Sequence, residues 1–133
     1  MVAEALSDRG TKVPISLEVD FSQSLGSGAS ATVTLATPAS GKRIVVVGLF
    51  HVQFGVGMGS NTKVQFQSGS DDKTGLLASN VTSASSPAHL SAGYMPDGHF
   101  WTEKDEALKM TVTNGHAATR TCIVDGVISY FEE

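Results

Sequence analysis

The 133-residue sequence contains one cysteine, Cys122, and this scarcity limits its chemistry. A single cysteine excludes an internal disulfide and any zinc site built from several cysteines. Charged residues are also few, at 17% of the chain, and 13 acidic residues outnumber 9 basic ones. Because proteins that bind nucleic acid usually present a basic face, this balance argues against a nucleic-acid partner.

Long hydrophobic segments are missing as well. The longest apolar run, residues 44–50, is far shorter than the roughly 20 residues needed to cross a bilayer, so no membrane partner is expected. Residues 1–12 lack a basic stretch followed by an apolar core, and no secretory signal is predicted. We therefore expect synthesis in a reducing cytoplasm, a flexible arm at residues 1–12 and one domain at residues 13–133.

The feature that does recur is a two-residue alternation of apolar and polar side chains, which is typical of strands with one buried face. It is clear at residues 15–20, 29–36 and 108–113. A last strand is predicted over about 120–131, with a bulge at Asp125 and Gly126. About eight strands at a spacing of roughly 8–15 residues predict an all-β, single-domain β-sandwich of the jelly-roll kind.

The strand predicted over residues 43–54 is apolar on both faces near its start. Val45, Val47 and Leu49 occupy one of these faces. A strand of a two-layer sandwich normally has one face in water, so these three side chains need cover. A second copy of the chain is the expected source of that cover.

Phe100 and Trp101 form an aromatic pair in a segment predicted to be extended. Adjacent residues of a strand point to opposite faces, so one ring should face the core and the other should not. The outward ring either anchors a partner or lies under a neighbouring loop. The interface candidates are therefore Val45, Val47, Leu49, Phe100 and Trp101.

Residues that could carry out chemistry are present but scattered. The four histidines, His51, His89, His99 and His116, lack the clustered spacing of a cupin metal site. Asp71 and Asp72 fit a solvated turn better than a calcium loop. The sequence predicts no catalytic residue, no metal and no cofactor.

The order of segments in residues 43–133 resembles small virion proteins of tailed bacteriophages, of the capsid decoration or cement type. The segments that carry the likeness are RIVVVGLFHVQF at 43–54, V-x-F-x-S-G at 64–69, FWT at 100–102, ALKMTVT at 107–113 and GVISYFE at 126–132. The resemblance implies a non-enzymatic jelly-roll homotrimer on the capsid surface, which binds across subunits of the major capsid protein. Residues 1–42 lie outside the likeness.

Two other functions stay open at the level of sequence. The first is a receptor- or glycan-binding module, such as a tail-fibre or lectin-like domain, with Trp101, Tyr94 and His99 as a sugar platform. The second is a small enzyme of the cupin type. The decoration protein is the leading hypothesis because the doubly apolar strand and the family-like segments both favour assembly.

Overall fold

The computed structural model describes residues 17–26, 28–54, 62–75, 77–79, 88–114 and 122–133. The predicted arm at residues 1–12, and the domain boundary after it, lie outside these ranges. Ten strands occur in the described residues. They are β1 (Leu17–Leu25), β2 (Ser30–Ala36), β3 (Ile44–Phe54), β4 (Thr62–Ser68), β5 (Asp71–Asp72), β6 (Leu77–Ser79), β7 (Ala88–Leu90), β8 (Phe100–Trp101), β9 (Leu108–Asn114) and β10 (Cys122–Glu132).

The described strands form two antiparallel sheets of five strands each. The first sheet has the order β1-β10-β3-β7, with β8 also paired to β3. The second has the order β2-β9-β4-β5, with β6 also paired to β4. The chain ends pair first, β1 with β10 and then β2 with β9, and these pairs fall in different sheets. This wrapped arrangement of an antiparallel sandwich is a jelly roll, and the predicted fold class is confirmed.

The strand count is ten rather than about eight because two edge positions are each divided between short strands. β5 and β6 pair with opposite ends of β4, and β7 and β8 pair with opposite ends of β3. Each pair fills one strand position of the sheet. The prediction therefore counted the sheet positions correctly and missed the breaks within two of them.

The hydrophobic core lies between the sheets, and β9 shows how the sequence produces it. Every second residue of β9 is buried, from Leu108 to Asn114, because side chains alternate along a strand. Residues 103–110 could also have begun a helix, but a strand starts at Leu108, as predicted. The fully buried core side chains include Phe66, Leu108, Met110, Ile44, Val46 and Ile128.

The register between β10 and β3 shifts twice, between Val127 and Ile128 and between Ser129 and Tyr130. In both places β3 carries the extra residue, which is the residue count of a β-bulge. The bulge predicted at Asp125 and Gly126 is wrong. That dipeptide pairs in register with strands on both sides, and the two ladders outweigh its preference for a turn.

Candidate functional site

Residues 93–102, which we call the cover segment, run beside the first half of β3. The N–H of Met95 donates to the carbonyl of Val47 at 2.9 Å, and the N–H of His99 donates to the carbonyl of Val46 at 2.7 Å. The segment then enters β8, whose two residues pair with β3. These bonds hold an otherwise irregular segment against the sheet.

A tight turn within the cover segment lies directly on Val45. The N–H of Gly98 donates to the carbonyl of Met95 at 2.9 Å, and Pro96 and glycine occupy positions that favour a type I turn. Gly98 has φ +90°, and a Cβ built on it would be 2.5 Å from Val45 Cγ1. Only glycine lets the backbone approach Val45 this closely.

The cover segment accounts for the face of β3 that the sequence left without a partner. Val45 is 2% exposed and Val47 is 0% exposed within the single chain. The expectation that a second copy must cover these two side chains is therefore wrong, because the same chain supplies the cover. Leu49 pairs with Ile128 along the backbone, and its side chain lies outside the described part.

The two aromatic residues of β8 point to opposite faces, as predicted. Phe100 is 8% exposed and packs on Phe66, with 5.7 Å between ring centroids. Trp101 is 44% exposed. Phe100 is thus a core residue and not a surface anchor. Among the interface candidates whose side chains are described, Trp101 is the exposed one.

Trp101 is held in place by Arg43. The Arg43 guanidinium carbon lies 5.5 Å from the centroid of the indole ring, within the range of a cation–π contact. The Arg43 Nε donates to Glu133 Oε2 at 2.9 Å, and Nη2 donates to the same oxygen. The backbones of Arg43 and Glu133 also exchange two hydrogen bonds, at 2.9 and 3.1 Å. The ring therefore stacks on a cation that is itself fixed.

Trp101 has exposed apolar neighbours on the cover segment. Tyr94 and Met95 are both exposed, and we call these three side chains the Trp101 patch. Met95 and Trp101 bond to positions of β3 two residues apart, a separation of roughly 7 Å along a strand. Sequence reasoning missed Met95, because loop side chains carry no periodicity. The Pro96 turn that follows it was the available signal.

An ion pair borders the patch. Lys73 Nζ lies 2.8 Å from Glu103 Oε1. The hydrogen bond and charge of Lys73 lower the pKa of Glu103, and the bond to Glu103 raises the pKa of Lys73. Because the Glu103 side chain is largely exposed, this pair contributes little to stability.

The loop after β8 is anchored by buried polar groups. The Thr102 Oγ1 accepts a hydrogen bond from the N–H of Ile44 at 3.0 Å, and Thr102 is fully buried. The Ser68 Oγ donates to Glu106 Oε2 at 2.5 Å and accepts from the N–H of Glu103 at 2.8 Å. These bonds fix the end of β8 and, with it, the position of Trp101.

An open cleft of about 240 Å³ lies next to Trp101. Lys73, His99, Phe100 and Trp101 line it. Of the residues proposed for a sugar platform, Trp101 and Tyr94 are exposed, whereas His99 Nε2 is hydrogen-bonded to the carbonyl of Gly93 at 2.8 Å. The cleft can hold a small polar ligand against one aromatic face and one ammonium group.

The described residues contain no group of three or more histidine, cysteine, aspartate and glutamate side chains that could hold a metal ion. Within the same part of the chain, no helix is long and apolar enough to span a membrane. The side chains of His51, His89 and Cys122 and all of His116 lie outside that part. No protein-family model matches the sequence, and no curated protein matches it either.

Proposed function

We propose that this chain is a non-enzymatic decoration, or cement, protein on the capsid surface of a tailed bacteriophage. It binds across subunits of the major capsid protein and stabilises the head shell. The jelly-roll sandwich and the resemblance of residues 43–133 to such proteins support this function. The Trp101 patch supplies the docking surface.

The observation that carries the proposal is an exposed tryptophan that is already held rigid. Trp101 and Arg43 belong to the residue types that dominate binding energy at protein interfaces. Because Arg43 and Glu133 fix the ring, binding a partner orders few additional side chains. The charged pairs around the exposed rings match an interface with an apolar centre and a polar rim.

The mechanism is mechanical. The patch offers three exposed apolar side chains, so one copy would bind the shell weakly. The resemblance implies a homotrimer, and three linked patches would raise the overall affinity without any new contact. A protein that binds the assembled shell but not its separated subunits stabilises the shell by mass action.

Co-sedimentation with purified capsid shells tests this function. The wild-type chain should saturate the shells at a fixed ratio to the major capsid protein. Trp101→Ala should weaken binding by on the order of 30-fold, the effect of losing about 2 kcal/mol at an interface anchor. Leu17→Ala is the matched control, since it removes an exposed apolar side chain from β1. Absence of saturable binding by the wild-type chain would refute the proposal.

A saccharide-binding module is the second candidate, and the cleft beside Trp101 favours it. An exposed indole next to an ammonium group suits a sugar ring that carries a carboxylate. A glycan array, followed by a titration of Trp101 fluorescence, separates the two functions. Saturable binding of one saccharide class without binding to shells would favour this candidate over the decoration protein.

A further inference from the structure

β2 lies at the edge of the second sheet. In the described residues it has one strand neighbour, β9, so its other side presents backbone N–H and C=O groups without a strand partner. An edge of this kind is a template for pairing with another strand. β2 is seven residues long and contains neither proline nor a charged side chain.

The other described edges carry features that oppose such pairing. β1 has the same length class but contains Glu18 and Asp20, which would face like charges in a two-fold contact. β5 consists of two aspartates, and β6 and β7 have three residues each. Charge and short length are the usual protections of a sheet edge. β2 has neither.

The burial of β2 indicates which face an added strand would complete. Ala31, Val33 and Leu35 pack against the core but are only partly buried, whereas Thr32 and Thr34 are exposed on the other face. A further strand beside β2 would cover the open flank of these apolar side chains. The edge thus has both free backbone groups and apolar surface to bury.

The segment available for pairing is residues 30–34, because the register with β9 shifts between Thr34 and Ala36. Its sequence, SATVT, matches itself when reversed about Thr32. Antiparallel pairing about Thr32 places Ala31 opposite Val33 and Ser30 opposite Thr34. Apolar residues then face apolar residues, and hydroxyl groups face hydroxyl groups.

We propose that residues 30–34 pair antiparallel with the same residues of a second copy, about a two-fold axis at Thr32. The contact joins the second sheets of two copies into one continuous sheet. This inference goes beyond the proposed function and does not depend on it. The choice of a second copy as occupant follows from the self-matching sequence and from the absence of charge that would oppose it.

A row of polar side chains reaches this axis across the second sheet. The Thr32 and Thr111 hydroxyl oxygens are 2.7 Å apart, and Thr111 Oγ1 donates to Gln67 Oε1 at 2.8 Å. Gln67 Nε2 in turn donates to Asp72 Oδ1 at 2.9 Å. Pairing at Thr32 would continue this row into the second copy.

The contact is expected to be weak, since it pairs only five residues of each chain. Stable interfaces usually bury about 1,200–2,000 Å² in total, more than one short strand pair provides. A two-fold contact also cannot close a trimer, so it would join one oligomer to the next. Copies held close together on a surface would form it most readily.

Disulfide trapping tests the register directly. Thr32→Cys is made in a Cys122→Ser background, so that the introduced thiol is the single one in the chain. Directly opposed residues of antiparallel strands have Cα atoms about 4.5–5.5 Å apart, which a disulfide can bridge. The matched control is Thr37→Cys in the same background, at an exposed position beyond β2.

We expect mild oxidation at high protein concentration to give disulfide-linked pairs with Thr32→Cys and far fewer with Thr37→Cys. In sedimentation velocity, Thr32→Lys should raise the concentration for half-association by roughly tenfold or more, because two ammonium groups would meet at the axis. Thr37→Lys carries the same charge and should behave as wild type. Equal cross-linking at both positions, or no concentration-dependent association, overturns the inference.

Discussion

Gly98 lies so close to Val45 that a Cβ on the glycine would be 2.5 Å from Val45 Cγ1. This contact places the turn of the cover segment on the outer side of β3. The apolar face that the sequence left open is therefore closed within one chain. What stays exposed is the Trp101 patch, and any docking surface on this side of the sandwich is limited to it and its charged surroundings.

The first prediction concerns this contact. Gly98→Ala should lower the free energy of unfolding by about 2–4 kcal/mol, because it forces a side chain into a left-handed backbone conformation and against Val45. Gly93→Ala is the matched control, since no atom lies within 4 Å of its added Cβ. Urea denaturation measures both variants. Equal stability of the two would contradict the close approach.

The second prediction concerns the buried hydrogen bond between Thr102 and Ile44. Thr102→Val keeps the shape of the side chain but leaves the Ile44 N–H without its acceptor, at a cost of about 1–3 kcal/mol. Amide hydrogen exchange at Ile44 should accelerate in this variant. Thr102→Ser retains the hydroxyl, and Ile44 should stay protected. Unchanged exchange in Thr102→Val would show that the bond does not protect Ile44.

The third prediction concerns pH and the pair of Lys73 and Glu103. The pKa of Glu103 is lowered in the folded chain, chiefly by its hydrogen bond to Lys73. A carboxyl group of this kind contributes stability above its unfolded pKa and loses the contribution as the pH falls through its folded pKa. The effect on stability should be small because Glu103 is exposed.

An NMR titration of the Glu103 carboxyl group measures the shift itself. Lys73→Gln should return the Glu103 pKa toward its ordinary value. Lys63→Gln removes the same charge from a residue of β4 and should leave the Glu103 pKa as in the wild type. A Glu103 titration that ignores the Lys73 substitution would rule out the pairing as its cause.

The fourth prediction concerns the fixed orientation of Trp101. Trp101 is the single tryptophan of the chain, so its fluorescence reports on the patch alone. Arg43→Gln removes the cation that stacks on the ring and should lower the steady-state anisotropy of the indole. Lys104→Gln is the control, a nearby cation without a ring contact to Trp101. Equal anisotropy in both variants would mean that Arg43 does not hold the ring.

The fold could be predicted well from the sequence where local alternation and burial agree. In β9, apolar side chains at every second position are the buried ones, and the same rule separated Phe100 from Trp101. The division of edge strands could not be predicted, since it depends on where two segments meet β4 and β3. The misplaced bulge has the same origin, because pairing on both sides holds Asp125 and Gly126 in register.

The candidate site could be predicted only in part. The sequence showed that both faces of β3 near Val45 are apolar, but not which segment covers the outer face. That cover comes from residues 93–102, far along the chain, and depends on a glycine turn fitting one valine. The stacking of Arg43 on Trp101 joins distant residues in the same way. Periodicity reports that a side chain needs burial and does not identify its partner.

The most direct test of the proposed function is the copy number of this chain in purified virions of the phage that encodes it. Quantitative mass spectrometry against the major capsid protein gives that number. We predict many copies per particle, in a fixed ratio to the shell subunits. Absence from the virion, or the few copies typical of a tail component, would contradict the decoration protein.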